Sequence, residues 1–158
     1  MVVSPSCGAE PGAERARRVR LSTAATCRKP LPVLEGLAGE FYGFCRQQQL
    51  RFQRCTQCHT FRHVPREICS RCNSFDWEWV ASSGRGTVYT WTVVERALHP
   101  AFASATPMAP VVVEMEEGVR MLSELVDCPI AELRVGMPVE AVFEVVTPEV
   151  TLPRFRRY

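Results

Sequence analysis

The chain has 158 residues, of which 46% are hydrophobic and 23% are charged, and its formal net charge is +2. This length suits one domain, or one small domain with an appended module, and the composition excludes disordered and fibrous proteins. No apolar run approaches the roughly 20 residues that cross a bilayer, and the N-terminal region lacks the apolar core of a secretory signal. We therefore expect a cytoplasmic protein with no membrane contact.

The first 30 residues combine proline, glycine and arginine without a sustained apolar period. They hold six basic and two acidic residues, which is a net charge of +4. A basic run of this kind occurs in segments that bind nucleic acid or membranes, and it also occurs in solvated tails. We interpret 1–30 as a flexible basic tail.

A helical pattern follows the tail. Apolar residues recur at spacings of three and four, which is the period of one helix face: Leu34, Leu37, Phe41 and Phe44. The pattern predicts an amphipathic helix over about 35–48, within an N-terminal unit of 31–48. Its apolar stripe either packs on the core of this protein or meets a partner.

Eight cysteines in a chain of this size indicate either disulfides or a metal site. Four of them form two Cys-x-x-Cys pairs with ten residues in between: Cys55, Cys58, Cys69 and Cys72. The other four are scattered: Cys7, Cys27, Cys45 and Cys128. Each pair can form a tight knuckle, and the loop lets the two knuckles face each other around one tetrahedral ion. The spacing therefore predicts a zinc ribbon over 49–80.

Other interpretations of the four cysteines explain less. Disulfides within the pairs would be strained and would leave the knuckles unconnected, and a redox dithiol is the remaining alternative. His59 and His63 could each replace a cysteine ligand, but the four thiolates make this unnecessary. Because catalytic zinc keeps one coordination position open for water, a set of four thiolates predicts one structural Zn²⁺ ion per chain.

Beyond the ribbon, apolar and polar residues alternate with the period of a β-strand. Phe75, Trp77 and Trp79 show the alternation first, and a turn that Gly84 and Gly86 permit comes next. Further strands are predicted over 87–95, 111–115, 119–126 and 139–145, with a short helix over 129–135 that Pro129 begins and Gly136 ends. About five strands with one short helix are the plan of an OB-fold barrel, which we assign to 81–158. A small open sandwich is the structural alternative.

Several stretches from residue 30 onward occur in a specific combination. They are Pro30-Leu31-Pro32, the run from Ser83 to Val93, Glu117-Gly118-Val119-Arg120, Val135-Gly136-Met137-Pro138-Val139 and Leu152-Pro153-Arg154-Phe155. Together with the ribbon, this combination resembles the DUF35 family over about 30–158. The resemblance implies a mainly β fold with an N-terminal helix, a rubredoxin-like zinc ribbon and a five-stranded OB-fold barrel with one short helix.

Members of that family accompany thiolase-superfamily and other acyl-CoA enzymes. The resemblance thus implies a non-catalytic accessory subunit in a hetero-oligomer, which binds and stabilises or completes a thiolase, an acyltransferase or the aldolase of sterol side-chain degradation. The acyl-CoA substrate would be met through the partner enzyme. One departure concerns the residue after each second cysteine, where the family commonly has glycine and this chain has His59 and Asn73. Asn tolerates the left-handed backbone of such a knuckle better than His does.

An OB-fold with a zinc ribbon also suggests a protein that binds single-stranded nucleic acid, which requires a basic groove with stacking aromatic residues. Between residues 81 and 153 we count four basic and ten acidic residues, a net charge of −6. An acidic barrel repels phosphate. The charge pattern therefore makes nucleic acid the less favoured partner.

No nucleophile motif appears, so we predict no catalytic residue. Aromatic side chains on strands and on the long connection from Ala97 to Pro110 serve either a core or an interface with a partner. The candidate interface residues are Trp79, Tyr89, Trp91, His99 and Phe102. The long connection has few groups with which to pack on itself, so we expect it to become ordered at the interface.

Overall fold

The computed structural model describes residues 29–158, so the predicted basic tail lies outside the described residues except for its last two positions. The described chain begins with helix α1 (Gly36–Arg46) and continues with eight strands in two sheets. The first sheet contains β1 (Arg51–Cys55), β2 (Phe61–Arg62) and β3 (Trp77–Ala81). The second contains β4 (Arg85–Trp91), β5 (Pro110–Met115), β6 (Arg120–Glu124), β7 (Pro138–Val145) and β8 (Thr151–Arg157). In residues 29–158, no helix is both long enough and apolar enough to cross a membrane.

Helix α1 lies inside the predicted range of 35–48 and buries Phe41 and Cys45. It packs on β1 of the first sheet and on β7 and β8 of the second. The helix ends where Gln48 takes a left-handed backbone (φ 58°) and its N–H donates to the carbonyl of Cys45 at 2.9 Å. The apolar stripe of α1 therefore serves the core of this protein.

The first sheet has the antiparallel order β2-β1-β3 and forms the ribbon. Of the predicted alternation, Trp77 and Trp79 lie in β3 of this sheet, where Trp79 is opposite Gln53 of β1. Phe75 itself precedes β3 and is exposed.

The second sheet is antiparallel in the order β6-β5-β4-β7-β8 and curls until its two edge strands meet. The meeting point is a parallel bridge between Leu125 and Phe155, where the N–H of Val126 donates to the carbonyl of Phe155 at 2.8 Å. The hydroxyl of Ser123 donates to the carbonyl of Pro153 at 2.8 Å beside it. One curled sheet that closes at a single seam is the half-barrel of an OB-fold, so the OB-fold prediction is confirmed and the open sandwich is wrong.

Two details of the barrel differ from the sequence prediction. The fifth strand is β8, which was not predicted because Pro153 and three arginines interrupt its apolar alternation. The predicted helix over 129–135 is only a 3₁₀ turn, Ile130–Glu132. Both flanking residues, Pro129 and Leu133, have extended backbones, and the Leu133 side chain is buried in the core.

Two glycines allow the chain to enter the barrel, as predicted. Gly84 has a left-handed backbone (φ 74°), which glycine adopts without steric cost. Gly86 allows a close approach of β5, since a Cβ atom at Gly86 would lie 2.5 Å from the carbonyl oxygen of Glu114. A side chain at position 86 would therefore push β4 and β5 apart.

His63 packs between the helix and the ribbon. Its ring centroid lies 5.1 Å from that of Phe41 in α1 and 5.6 Å from that of Phe52 in β1. Burial lowers the pKa of His63 from 6.5 to about 4, since a buried imidazole resists protonation. Its Nδ1 atom is buried without a hydrogen-bond partner among the described residues. The neutral ring therefore acts as an apolar packing group.

The depressed pKa of His63 predicts a loss of stability in mild acid. Below pH 6.5 the unfolded chain binds a proton at this site and the folded chain does not, so stability falls until the pH reaches about 4. The loss between pH 8 and pH 5 is about 2 kcal/mol for this group. We expect His63→Phe to remove that part of the pH dependence, as measured by denaturant unfolding of the zinc-loaded protein.

The control is Val64→Ala at the exposed neighbour of His63, which removes no titratable group and should leave the pH dependence unchanged. Protonation of the zinc ligands contributes equally to the wild type and to both variants, so the difference between the variants isolates His63. Equal slopes for His63→Phe and the wild type would contradict the prediction.

Candidate metal centre and interface residues

The four predicted zinc ligands lie together at the end of the ribbon. Cys55 ends β1, Cys58 follows in the adjoining turn, and the loop before β3 carries Cys69 and Cys72. All four Sγ atoms lie within 4.8 Å of one another. The Sγ atoms of Cys55 and Cys72 are 3.5 Å apart, and those of Cys58 and Cys69 are 3.6 Å apart. A tetrahedral ion with Zn–S bonds of about 2.3 Å separates its sulfur ligands by about 3.8 Å, so the four thiolates fit zinc.

The two knuckles have the same backbone hydrogen bonds. After the first cysteine pair, the N–H of His59 donates to the carbonyl of Cys55 at 2.9 Å, and after the second, the N–H of Asn73 donates to that of Cys69 at 2.9 Å. In each knuckle the first cysteine also donates its own N–H to a carbonyl that follows the pair. Cys55 donates to the carbonyl of Thr60, and Cys69 donates to the carbonyl of Ser74. The two knuckles therefore have the same structure, and each supplies two of the four sulfur ligands.

The electrostatics of the four thiols require a cation. The hydroxyl and backbone of Thr60 lower the pKa of Cys58 to about 6, which favours its thiolate form. At Cys72, the backbone of Ser74 lowers the pKa, but desolvation and the three neighbouring thiols outweigh it and raise the pKa to about 12. Four thiolates at this spacing coexist only when a positive ion neutralises them. With Zn²⁺ bound, all four sulfurs serve as thiolate ligands.

The set of four cysteines leaves no coordination position for water, which is the arrangement of a structural zinc site. Within residues 29–158, it is the one group of three or more His, Cys, Asp or Glu residues whose ligand atoms come close enough to hold a metal. His59 and His63 do not belong to the group. The other described cysteines, Cys45 and Cys128, lie outside it as free thiols.

Trp79 joins α1 to the ribbon. Its Nε1–H donates to Oε2 of Glu40 at 2.7 Å, and its ring packs edge-on against Phe44 at 5.3 Å between centroids. Trp91, at the end of β4, is partly buried against the barrel core. These two of the five candidate interface residues therefore make substantial contacts within the chain.

Tyr89 protrudes from the barrel at a break in the ladder between β4 and β5. The register shifts between Val88 and Thr90, which leaves Tyr89 as the bulged residue with 42% of its surface exposed. The guanidinium of Arg120 stacks on the Tyr89 ring at 3.6 Å from its centroid. Sequence patterns did not reveal this pair, because its members lie on different strands.

His99 and Phe102 lie together on the long connection between β4 and β5, which is more ordered than the sequence suggested. Residues Pro100–Ala105 form a 3₁₀ helix, and Nδ1 of His99 caps it by accepting a hydrogen bond from the N–H of Ala101 at 3.2 Å. The His99 and Phe102 rings are 6.1 Å apart between centroids. His99 is thus committed to a structural hydrogen bond.

The arginines of β8 are neutralised by carboxylates of the barrel. Arg154 bonds to Glu124 and Glu144 at 2.9 and 2.8 Å. The other two pairs are Arg156 with Glu140 at 2.7 Å and Arg157 with Glu132 at 2.7 Å. The C-terminal strand therefore offers few free cations to a phosphate backbone.

The zinc site predicts one zinc ion per chain and a fold that depends on it. Ligand binding and folding are coupled in small zinc modules, so Cys55→Ser and Cys72→Ser should lose the metal and most of the soluble protein. Cys128→Ser, at a free thiol outside the site, is the matched control and should keep both. Elemental analysis of freshly purified protein measures the metal content, and four freely titratable thiols without zinc would refute the assignment.

The left-handed residues of the knuckles predict a stabilising substitution. His59 and Asn73 have φ angles of 58° and 59°, a conformation that strains histidine more than asparagine. We expect His59→Gly to raise the free energy of unfolding by about 0.5 to 1 kcal/mol and Asn73→Gly to change it little. Denaturant unfolding of zinc-loaded variants measures both, and a destabilised His59→Gly protein would count against the idea.

Known proteins resemble the chain in both of its parts. Residues 44–78 match the family model of the ChsH2 rubredoxin-like zinc ribbon domain, and residues 79–144 match that of the ChsH2 C-terminal OB-fold domain. The ribbon match and the four clustered cysteines confirm one structural zinc ion per chain.

A probable enoyl-CoA hydratase alpha subunit of Thermomonospora curvata is 37% identical over 128 residues, which are 81% of this chain and 40% of that protein. A DUF35 domain-containing scaffold protein of Methanocaldococcus jannaschii is 40% identical over 91 residues, which are 57% of this chain and 64% of that protein. The chain thus spans less than two thirds of either relative.

Among solved structures, the Ltp2-ChsH2(DUF35) aldolase contains a chain that superposes with a TM-score of 0.72 at 36% sequence identity. The match covers 80% of this chain and 98% of that chain. The sequence resemblance is therefore confirmed by the ribbon, the barrel and nearly the full length of a solved relative, and the chain belongs to the DUF35 family.

Proposed function

We propose that this chain is a non-catalytic accessory subunit of an enzyme that acts on acyl-CoA thioesters, and that it binds and stabilises or completes a thiolase-superfamily partner. The observation that carries the proposal is the match to 98% of one chain of the Ltp2-ChsH2(DUF35) aldolase. The M. jannaschii relative, which is named a scaffold protein, supports the non-catalytic role. The acyl-CoA substrate then reaches this chain only as part of the complex.

The contacts of the polar residues support the same role. The barrel carboxylates of Glu124, Glu132, Glu140 and Glu144 are bonded to arginines of β8. Glu114 is bonded to Arg120 at 3.2 Å, and His99 caps a 3₁₀ helix. General acid–base catalysis needs a titratable group that is free to exchange a proton with a substrate, and these groups are committed to structure.

We infer that the partner surface includes Tyr89, His99 and Phe102, the three candidate residues at the surface of the barrel and its long connection. Tyr89 presents a stacked pair with Arg120, and aromatic residues and arginine are enriched where protein interfaces bind most strongly. Trp79 and Trp91 would act indirectly, by holding the helix and the β4 end in place.

A hydratase is the second candidate for the partner. The T. curvata relative is named an enoyl-CoA hydratase alpha subunit, and this chain corresponds to 40% of its length. The proposal of an accessory subunit holds for either enzyme, since both act on CoA thioesters. Binding of single-stranded nucleic acid remains the alternative of another class, and the ion-paired arginines of β8 weigh against it.

The proposal predicts that the partner depends on this chain. Thiolase-like and hydratase-like enzymes of the same organism are to be expressed with and without this chain, and their yield, thermal stability and turnover compared at matched concentrations. We expect one of them to lose activity or stability without this chain, and this chain alone to turn over no acyl-CoA. Equal turnover and equal thermal stability in all pairs would refute the accessory role.

A further inference from the structure

Strand β6, at one edge of the curled sheet, pairs along its length with β5 only. In an antiparallel ladder, hydrogen-bonded pairs alternate with pairs that exchange no bond. The pair next to the hairpin turn is bonded, since the N–H of Met115 donates to the carbonyl of Val119 at 2.9 Å. Counted from this pair, Met121 bonds to β5. The backbone N–H and C=O groups of Arg120 and Leu122 therefore point to the opposite side of β6.

Strand β8 covers only the far end of this opposite side. The seam between β6 and β8 is the parallel bridge of Leu125 and Phe155. In the same register, the residue of β8 that would donate to the carbonyl of Leu122 is Pro153, which has no N–H. At this point a side chain makes the contact instead, since the Ser123 hydroxyl donates to the carbonyl of Pro153. Among the described residues, none bonds to the backbone of Leu122 on this side.

A cavity of about 780 Å³ opens beside the unpaired edge. Its walls are mainly apolar and come from α1, from the loop after β2 and from β8, with Tyr42, Val64 and Leu152 among them. The side chains of Leu122 and Val64 are 69% and 54% exposed. The volume is in the range of cavities that enclose a bound group. The unpaired backbone and an apolar groove thus lie side by side.

The charges of the groove specify its occupant further. Among the described residues that line it, Arg120 and Arg154 are the two charged ones, and both are basic. Arg154 is already bonded to two glutamates. Arg120 is half exposed, and its Nε and Nη2 atoms both donate to the same oxygen of Glu114 at 3.2 Å. Its Nη1 atom is therefore available to a carboxylate of the occupant.

We propose that an extended segment of the partner enzyme adds to β6 as a further strand, with apolar side chains in the cavity and an acidic side chain beside Arg120. This binding mode rests on the proposed accessory function and adds to it the kind of segment by which the partner binds. An open strand edge pairs with another extended backbone, whereas a helix has already used its own backbone groups. Backbone bonds then supply affinity, and the cavity selects the side chains. Since Arg120 also stacks on Tyr89, the groove adjoins the partner surface inferred above.

The probe for strand addition is the acyl-CoA enzyme that depends on this chain, titrated by calorimetry with the full-length zinc-loaded chain. Leu122→Pro removes the N–H of the open edge and leaves the bonds between β6 and β5 in place, so Kd should rise on the order of tenfold or more. Leu122→Val keeps the N–H and an apolar side chain, and as the matched control it should bind as the wild type does. Arg120→Gln should weaken binding and reduce its salt dependence. Wild-type affinity of a folded Leu122→Pro protein would overturn the binding mode and leave the accessory role standing.

Hydrogen exchange of the wild-type chain tests the same edge without a substitution. In the free chain the amides of Arg120 and Leu122 should exchange rapidly and that of Met121 slowly, whereas in the complex all three should exchange slowly. Rapid exchange of Leu122 in the complex would refute strand addition. Slow exchange of Leu122 in the free chain would also refute it, because another copy or another part of this chain would then cover the edge. A wild-type chain that binds none of the enzymes would overturn both the binding mode and the accessory role.

Discussion

The crowding of four cysteine sulfurs within 4.8 Å is the constraint on which the rest of the molecule depends. Without a divalent cation the thiolates repel one another, and the three-stranded ribbon has too few apolar residues to hold itself together. The ion fixes β1, and β1 carries Phe52, which packs with His63 beneath Phe41 of α1. Through α1 the order imposed by the metal reaches β7 and β8 of the barrel.

How much of this could be predicted from the sequence depended on how local each signal was. The zinc site was predictable because the spacing of the two Cys-x-x-Cys pairs determines how the four sulfurs can be arranged around an ion. Helix α1 was predictable from its apolar period. Strand β8 was missed because Pro153 and its arginines mask the alternation, although those arginines are paired with carboxylates of β7 and of neighbouring segments. The stacking of Arg120 on Tyr89 depends on a bulge in the β4–β5 ladder that no local pattern signals.

Many charged side chains of the barrel form ion pairs with one another. OB-folds that bind nucleic acid keep a basic groove free for phosphates, whereas here the arginines of β8 and Arg120 are paired with glutamates of the same barrel. Because these charges are already paired, aromatic and aliphatic groups are the features by which the surface can distinguish one partner from another. Such a surface suits recognition of another folded protein, in which shape and apolar area matter more than net charge.

The repeated hydrogen-bond pattern of the knuckles has a consequence for how the metal is acquired. Because each Cys-x-x-Cys turn is closed by its own backbone bond, from His59 to Cys55 and from Asn73 to Cys69, each turn is a local unit that offers two sulfur ligands to the ion. Once one turn holds the ion, the two cysteines of the other turn bind it at a high effective concentration, so the site closes by chelation. The distance that the chain must close between them is set by the short loop from His59 to Ile68.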